Sequence, residues 1–300
     1  MVFYNLQTPI MLKKLLFYLK VSRPGLWFAT LWLYLLPTSQ LNEITTSWIF
    51  WYGLFYVCFP LNFLVYGWND IVDYETDALN PRKDSFWFGA RGSKEDLEVL
   101  WRTIAISQVL FFPLLIWIGG WEVSLFLLAF IIINGLYNLP ERGLRSYPPL
   151  ELLCQVGYLL VVPLSIWIND LAGLPWQTYL YLFLFAMQSH IMGEVMDIVP
   201  DKKAGRKTTG TVLGTQKTKL LIIGIVFLEV ALLFTIYEEY IFGGLLAMGL
   251  IWLLLDVFVI YKEKQYSVLE MKLFALMSNV VAVLSMAYVW WSGCLLQVAV

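Results

Sequence analysis

Asn69-Asp70-Ile71-Val72-Asp73-Tyr74-Glu75-Thr76-Asp77 follows directly on a long apolar run and sets Asp70, Asp73 and Asp77 at i, i+3 and i+7. On a helix that spacing gathers the three carboxylates on one face. The stretch Glu194-Val195-Met196-Asp197-Ile198-Val199-Pro200-Asp201 repeats it with Glu194, Asp197 and Asp201, again at the end of an apolar segment. Each acidic face is followed by a basic tail, and four apolar segments separate them, which hints at two similar halves facing each other across a cavity.

The chain around these stretches is too apolar for a soluble domain: 300 residues, 60% hydrophobic, 17% aromatic and only 14% charged, with mean hydropathy +0.70. A hydrocarbon core takes about 20 apolar residues per helix, and nine stretches meet that length: 24–41, 47–68, 99–118, 121–138, 150–168, 175–193, 219–237, 240–260 and 272–292. An all-α polytopic membrane protein of nine helices is therefore expected, as one domain over 1–300 with motif loops at 69–98 and 194–218.

Net charge is only −2, yet its distribution is informative. In the nine-span arrangement all 20 Lys and Arg fall on the motif side, whereas the opposite connections carry only Glu43, Glu122, Asp170, Glu238 and Glu239. Positive residues mark the cytoplasmic side, so both motifs and the N-terminus are expected there. Residues 1–20, with Lys13, Lys14 and Lys20 among Leu and Phe, suit an interfacial helix against membrane lipid. Cys58, Cys154 and Cys294 share no metal-ligand spacing, and a nucleic-acid partner is not expected.

Several polar residues admit two readings. Arg23, ahead of Pro24 and Trp27, is an interfacial anchor or a functional cation. Asn62, inside the second span, ties helices together or faces a cavity. The segment Asn80-Pro81-Arg82-Lys83 through Phe86-Trp87-Phe88-Gly89-Ala90-Arg91 is too aromatic for a solvated linker and reads as a loop folded back over the membrane mouth. Arg142 and Arg145 serve as anchors or as part of the site. His190 is a helix-packing side chain or a base, and Glu229 and Asp256 are buried functional acids or interhelical hydrogen bonders.

Six carboxylates at one membrane surface repel one another unless cations lie between them. Oxygen-only ligands open to water suit Mg²⁺, which bridges carboxylates to substrate phosphates. The bases Arg82, Lys83, Arg142, Arg145, Lys202, Lys203, Arg206 and Lys207 are near enough in sequence to hold outer phosphate oxygens. A diphosphate bound above aromatic helices points to a lipid diphosphate whose chain lies in the bundle. Metal ions make diphosphate a better leaving group, and aromatic faces stabilise the allylic cation left behind.

Asn69-Asp70-x-x-Asp73-x-x-x-Asp77 resembles the first signature of the UbiA-type intramembrane prenyltransferases, and Glu194-x-x-Asp197-x-x-x-Asp201 is similar to the second, with glutamate as a departure at position 194. Arg23-Pro24-x-x-Trp27, Tyr137 with the Pro/Arg loop after it, and Ala204-Gly205-x-x-Thr208-Thr209 also match the family's habits. The resemblance covers about 20–220 and implies Mg²⁺-dependent transfer of a polyprenyl group from its diphosphate to a lipophilic acceptor. It implies Asp70, Asp73 and Asp77 on one metal ion and Asp197 and Asp201, with Glu194, on the other. By the same resemblance Asn69 helps hold the diphosphate, and Arg142, Arg145 and Lys203 or Lys207 contact phosphate; Asn62, Arg23, Arg82, Lys83 and Tyr137 complete the candidate substrate-binding set. Asn80-Pro81-Arg82-Lys83 and Thr208 to Gly214 look most like the branch that elongates carotenoids; quinone or tetrapyrrole precursors are other family acceptors. Two alternatives stand beside this: a family member that cyclises its prenyl diphosphate without an acceptor, and an ion-coupled transporter. The second fits poorly, since transporters place such acids near the bilayer midplane rather than at helix ends beside basic loops.

Overall fold

The computed structural model describes residues 10–140 and 143–298, and within them the secondary structure is helical, with one isolated bridge between Ser85 and Gly89. The order is α1 (Ile10–Val21), α2 (Trp27–Leu35), α3 (Trp48–Cys58), α4 (Pro60–Val72), α5 (Tyr74–Ala78), α6 (Lys94–Gly119), α7 (Trp121–Asn138), α8 (Leu150–Leu153), α9 (Val156–Leu159), α10 (Val161–Asn169), α11 (Trp176–Lys203), α12 (Thr209–Leu213), α13 (Thr215–Thr235), α14 (Tyr240–Leu255) and α15 (Val268–Ser292). Among the described residues, eight helical segments of 18 to 28 residues are long and apolar enough to cross a membrane.

The expected first span is shorter than the others. Its α-helical part is only α2, bracketed by 3₁₀ turns at Pro24–Leu26 and Leu36–Thr38. Pro37 lacks the N–H that a continuing α-helix would use, so α2 tightens there instead of running on. The second span is broken at Phe59, where Pro60 opens α4. Asn62 repairs that break. Its amide donates to Thr30 Oγ1 at 2.8 Å and to the carbonyls of Val57 and Cys58 at 2.9 Å, and the side chain is fully buried. It therefore ties α2 to the α3–α4 kink and does not reach the central cavity, which removes it from the substrate-binding set.

The bundle interior is filled by large side chains such as Tyr34, Tyr56, Phe63, Phe126 and Tyr181, all nearly inaccessible. Outward faces carry Trp117, Val109, Ile241 and Met248 exposed, as lipid-facing surfaces require. At the motif side α13 and α14 are joined by Lys219 and Asp256, where the end of α14 loosens into a π-turn over Asp256–Ile260. Ser93 begins α6 with a reciprocal cap to Asp96, which fixes where the long loop after α5 ends.

Candidate active site

The first acidic stretch lies across the joint between α4 and α5. Asp73 sits at the junction, and the backbone follows a helical path through it, with the Asp73 N–H donating to Asn69 O and the Asp77 N–H to Asp73 O, both at 2.8 Å. Asp73 and Asp77 face a cavity of about 1000 Å³, whereas Asp70 lies behind them. The second stretch is carried by α11 and presents Glu194, Asp197 and Asp201 to the same cavity. The two motifs thus meet across one mouth.

Each aspartate of the two motifs is met by a base. Arg23 Nη2 reaches Asp70 Oδ1 at 2.6 Å while its guanidinium lies 4.5 Å over the Tyr66 ring. Its backbone is in the left-handed region at φ 51°, uncommon outside glycine and a sign of a tightly determined position. Lys83 Nζ contacts Asp70 Oδ1 at 2.7 Å and Asp77 Oδ2 at 2.6 Å. Arg145 Nη1 is 2.5 Å and Arg206 Nη1 3.0 Å from the two oxygens of Asp73. Arg82 pairs with Asp197, and Arg206 Nη1 lies 3.9 Å from Asp201 Oδ1. Burial pushes the Asp77 carboxyl up to about 6, against the pull of Lys83, with Asp70 and Asp73 adding to the rise. Burial likewise lowers the Arg145 guanidinium, which Asp73 offsets.

The loop after α5 does fold back over this mouth. Asn80 donates to Asp197 Oδ1 at 2.9 Å, so the loop that leaves the first motif closes on the second. The Gly25 N–H donates to Phe86 O at 3.0 Å, and Trp87 packs where a Gly25 side chain would stand. Gly89, at φ 93°, lies against Arg23, Asp70 and Lys83; a Cβ there would come within 2.9 Å of Arg23 Nε.

Among the bases expected after α11, a different one faces inward. Gly205, in the left-handed conformation at φ 72°, ends the helix, and the Arg206 N–H returns to Asp201 O at 2.9 Å. That reversal aims Arg206 at Asp73, while Lys203 and Lys207 are exposed and do not line the cavity. Arg142 lies outside the described residues. Asn69 bridges to Asp73 Oδ2 at 2.9 Å and to Asn138 at 3.3 Å, and Tyr137 lines the cavity beside them.

Glu194 stands apart from the aspartates. Its Oε2 accepts the Gly210 N–H at 2.7 Å, and its Oε1 faces His190 Nε2 at 3.2 Å. Glu151, which belongs to neither acidic motif, accepts the Thr209 N–H at 2.7 Å and is fully buried. Two carboxylates thus hold the first amides of α12, the favourable placement for negative charge at a helix start. A glutamate at the start of a span is the only sequence signal for Glu151.

Below the mouth the cavity becomes aromatic and apolar, walled by Trp32, Phe185, Tyr181 and Phe242, with the Trp32 and Phe185 rings stacked at 5.6 Å. Its far wall is built from α14 and α15. Trp252 (51%), Leu273 (51%), Met277 (60%) and Val281 (45%) line it and stay accessible, and α14 and α15 touch at few points, so the cavity opens sideways between these helices.

The sequence profile of the UbiA prenyltransferase family matches residues 26–280. The chain belongs to the UbiA prenyltransferase family. It is a membrane-embedded prenyltransferase, and that excludes the transporter alternative. A lycopene elongase/hydratase of Corynebacterium glutamicum is 29% identical over 209 residues, covering 69% of this chain and 72% of that protein. One from Halobacterium salinarum is 28% identical over 180 residues, covering 59% and 62%. A UbiA homolog from Archaeoglobus fulgidus, solved bound to DMAPP and Mg²⁺, shares the fold with TM-score 0.69 at 20% identity, covering 91% of this chain and 97% of that one. The same homolog bound to GPP and Mg²⁺ gives TM-score 0.66 at 19% identity, covering 90% and 97%.

Proposed function

We propose that the protein transfers a prenyl group from a prenyl diphosphate to a carotenoid-type acceptor, with Mg²⁺ as cofactor. The observation that carries this reading is the single cavity that joins an acid-and-base mouth to an aromatic, apolar tunnel. Relatives called lycopene elongase/hydratase support the acceptor class, and fold neighbours solved with DMAPP or GPP and Mg²⁺ support the donor and the metal.

The residues fit the metal. Among the described residues no three carboxylates converge at metal-binding distance, but Mg²⁺ takes only one or two carboxylates, completing its shell with water and substrate phosphate. Asp73 and Asp77, supported by Asp70, would hold one ion, and Asp197 and Asp201 the other. Glu194 is left out of the metal set, because the Gly210 N–H takes its Oε2 and its Oε1 is turned toward His190. When bound, Mg²⁺ supplies Lewis-acid neutralisation of the leaving diphosphate.

This chain's own cations do the remainder of the holding. Arg145 and Arg206 flank Asp73 at the cavity edge, and Arg82 and Lys83 reach in from the loop above, so four positive groups surround the place where phosphate oxygens would lie. The loop shields the mouth from water, and the Tyr137, Trp32 and Phe185 rings face the tunnel where an allylic cation would form. The sideways opening favours transfer over cyclisation, since cyclisation needs a closed pocket. The crowding of Lys and Arg on the motif side supports a cytoplasmic location for that side.

The test is mass spectrometry of products from purified protein, Mg²⁺ and prenyl diphosphates of several lengths, with and without lycopene in vesicles. A product heavier by one prenyl unit, formed only with the acceptor and lost in Asp73→Asn and Asp197→Asn, is expected. Diphosphate release giving a hydrocarbon without any acceptor would overturn the transfer reading in favour of cyclisation.

A further inference from the structure

His190 is the only histidine in the chain, and the metal-and-phosphate site does not use it. It lies on α11 seven residues before Asp197, two turns along the same face, which puts it about 10 Å deeper into the tunnel than that carboxylate. Its ring lines the cavity and packs edge-on against Tyr137, with centroids 6.2 Å apart. Nε2 faces Glu194 Oε1 at 3.2 Å, and the other oxygen of that carboxylate is fixed by the Gly210 N–H. A histidine kept for helix packing would bond across to a neighbouring helix. Among the described residues, the charged group that His190 faces is on its own helix, one turn away, and the ring makes no hydrogen bond to a neighbouring helix.

Depth decides what the pair can do. The donor's reacting carbon is bonded to the diphosphate, so bond formation takes place just below the mouth, in the layer that Tyr137 and His190 occupy. The transfer reading above requires three bond changes there. The C–O bond of the donor breaks and its electron pair leaves with diphosphate. The allylic cation then takes the π pair of an acceptor C=C, forming a C–C bond and leaving a tertiary cation on the acceptor. That cation must be discharged. Either a neighbouring C–H gives up its proton and its electron pair becomes a new C=C, or water adds and one O–H proton leaves, giving a tertiary alcohol. Both routes need a proton acceptor inside an apolar tunnel, where water is a poor base.

We infer that His190 is this proton acceptor and that Glu194 is its positioning residue. In either route the ring accepts the proton at Nδ1, since Nε2 is turned to the Glu194 carboxylate, and the imidazolium so formed faces that carboxylate in the low-dielectric tunnel. Glu194 is thereby given a purpose that explains why glutamate stands where the motif's spacing would allow aspartate: its longer side chain reaches back one turn to the ring while keeping its bond to Gly210. The inference rests on the proposed transfer to an alkene-bearing acceptor.

The experiment measures diphosphate release and elongated product in the same vesicle reaction with Mg²⁺, a prenyl diphosphate and lycopene. In His190→Ala and His190→Gln the elongated product is expected to fall about 100-fold, the low end of what a general base contributes. Diphosphate release continues, its prenyl group recovered as the alcohol. Added imidazole restores elongation in His190→Ala, which a merely structural role would not allow. Glu194→Gln lowers kcat for elongation with little change in donor KM, and Glu194→Asp recovers less than wild type. His190→Ala that couples release to elongation as wild type does, or that loses both together without imidazole rescue, overturns the assignment. A wild-type protein that releases diphosphate yet never elongates lycopene fails at the acceptor reading itself and takes this assignment with it.

Discussion

Lys83 Nζ lies 2.6 Å from Asp77 Oδ2, with the ammonium almost wholly buried. Asp70 takes the same ammonium at 2.7 Å, so one lysine bridges two carboxylates of the first motif. A buried cation in that position is poised to exchange an aspartate for a phosphate oxygen. Lys83→Met is expected to raise the donor KM roughly 10- to 100-fold, because a hydrogen bond to a charged group contributes about 1.5–3 kcal/mol. Steady-state diphosphate release against donor concentration checks this, and an unchanged KM would show that Lys83 serves the aspartates alone.

Arg206 and its neighbours make a sharp contrast within five residues. Arg206 faces Asp73 and the cavity, whereas Lys203 and Lys207 point outward. Arg206→Ala is expected to lower kcat/KM for the donor by roughly 100-fold, given the bidentate reach that arginine offers phosphate. Lys203→Ala and Lys207→Ala are expected to stay within about twofold, as exposed charges contribute little. Equal effects at the three positions would contradict the inward placement of Arg206 alone.

Gly89 tests the loop over the mouth. Its φ of 93° and its contact with Arg23 and Lys83 leave no room for a side chain. Gly89→Ala is expected to lift the loop and to lower donor turnover by about 10- to 100-fold, since small misplacements of positioning groups cost that much. Protease accessibility of the loop should rise in parallel. A fully active, protease-resistant Gly89→Ala would show that the loop does not gate the site.

Lys219 and Asp256 pair at 2.7 Å with both side chains buried, and Tyr266 donates to Asp256 Oδ2 at 2.9 Å. The Tyr266 ring also lies 4.2 Å from the ammonium. Removing only the cation strands a buried carboxylate, so Lys219→Met is expected to destabilise the protein by about 3–5 kcal/mol. Adding Asp256→Asn, which keeps an acceptor for Tyr266, should recover most of that loss. Thermal unfolding in detergent measures both, and a double variant no better than the single would rule out charge burial as the cause.

Legibility in the sequence followed distance along the chain. The acidic motifs were readable because helical spacing alone brings Asp73 and Asp77, like Asp197 and Asp201, to the mouth, although Asp70 ends up behind its two neighbours where α4 gives way to α5 at Asp73. Their basic partners were readable only as a neighbourhood. Which base turns inward depends on a single left-handed glycine after α11, and Lys203 looked as suitable as Arg206 until that reversal was in place. Asn62 admitted two readings because an amide within a span faces either protein or water, and it faces protein, at the Pro60 kink. Lys219 and Asp256 are 37 positions apart in sequence, and their pairing depends on how α13 and α14 cross. The first span was recognisable from hydropathy, but its early end as an α-helix comes from Pro37.

The gap between α14 and α15 has a kinetic consequence. A tunnel whose wall is shared with the bilayer draws its hydrophobic ligands from a two-dimensional reservoir, so their abundance is set by mole fraction in lipid and not by molarity in solution. Diluting the acceptor with inert lipid should then slow the enzyme at constant total concentration, while adding buffer should not.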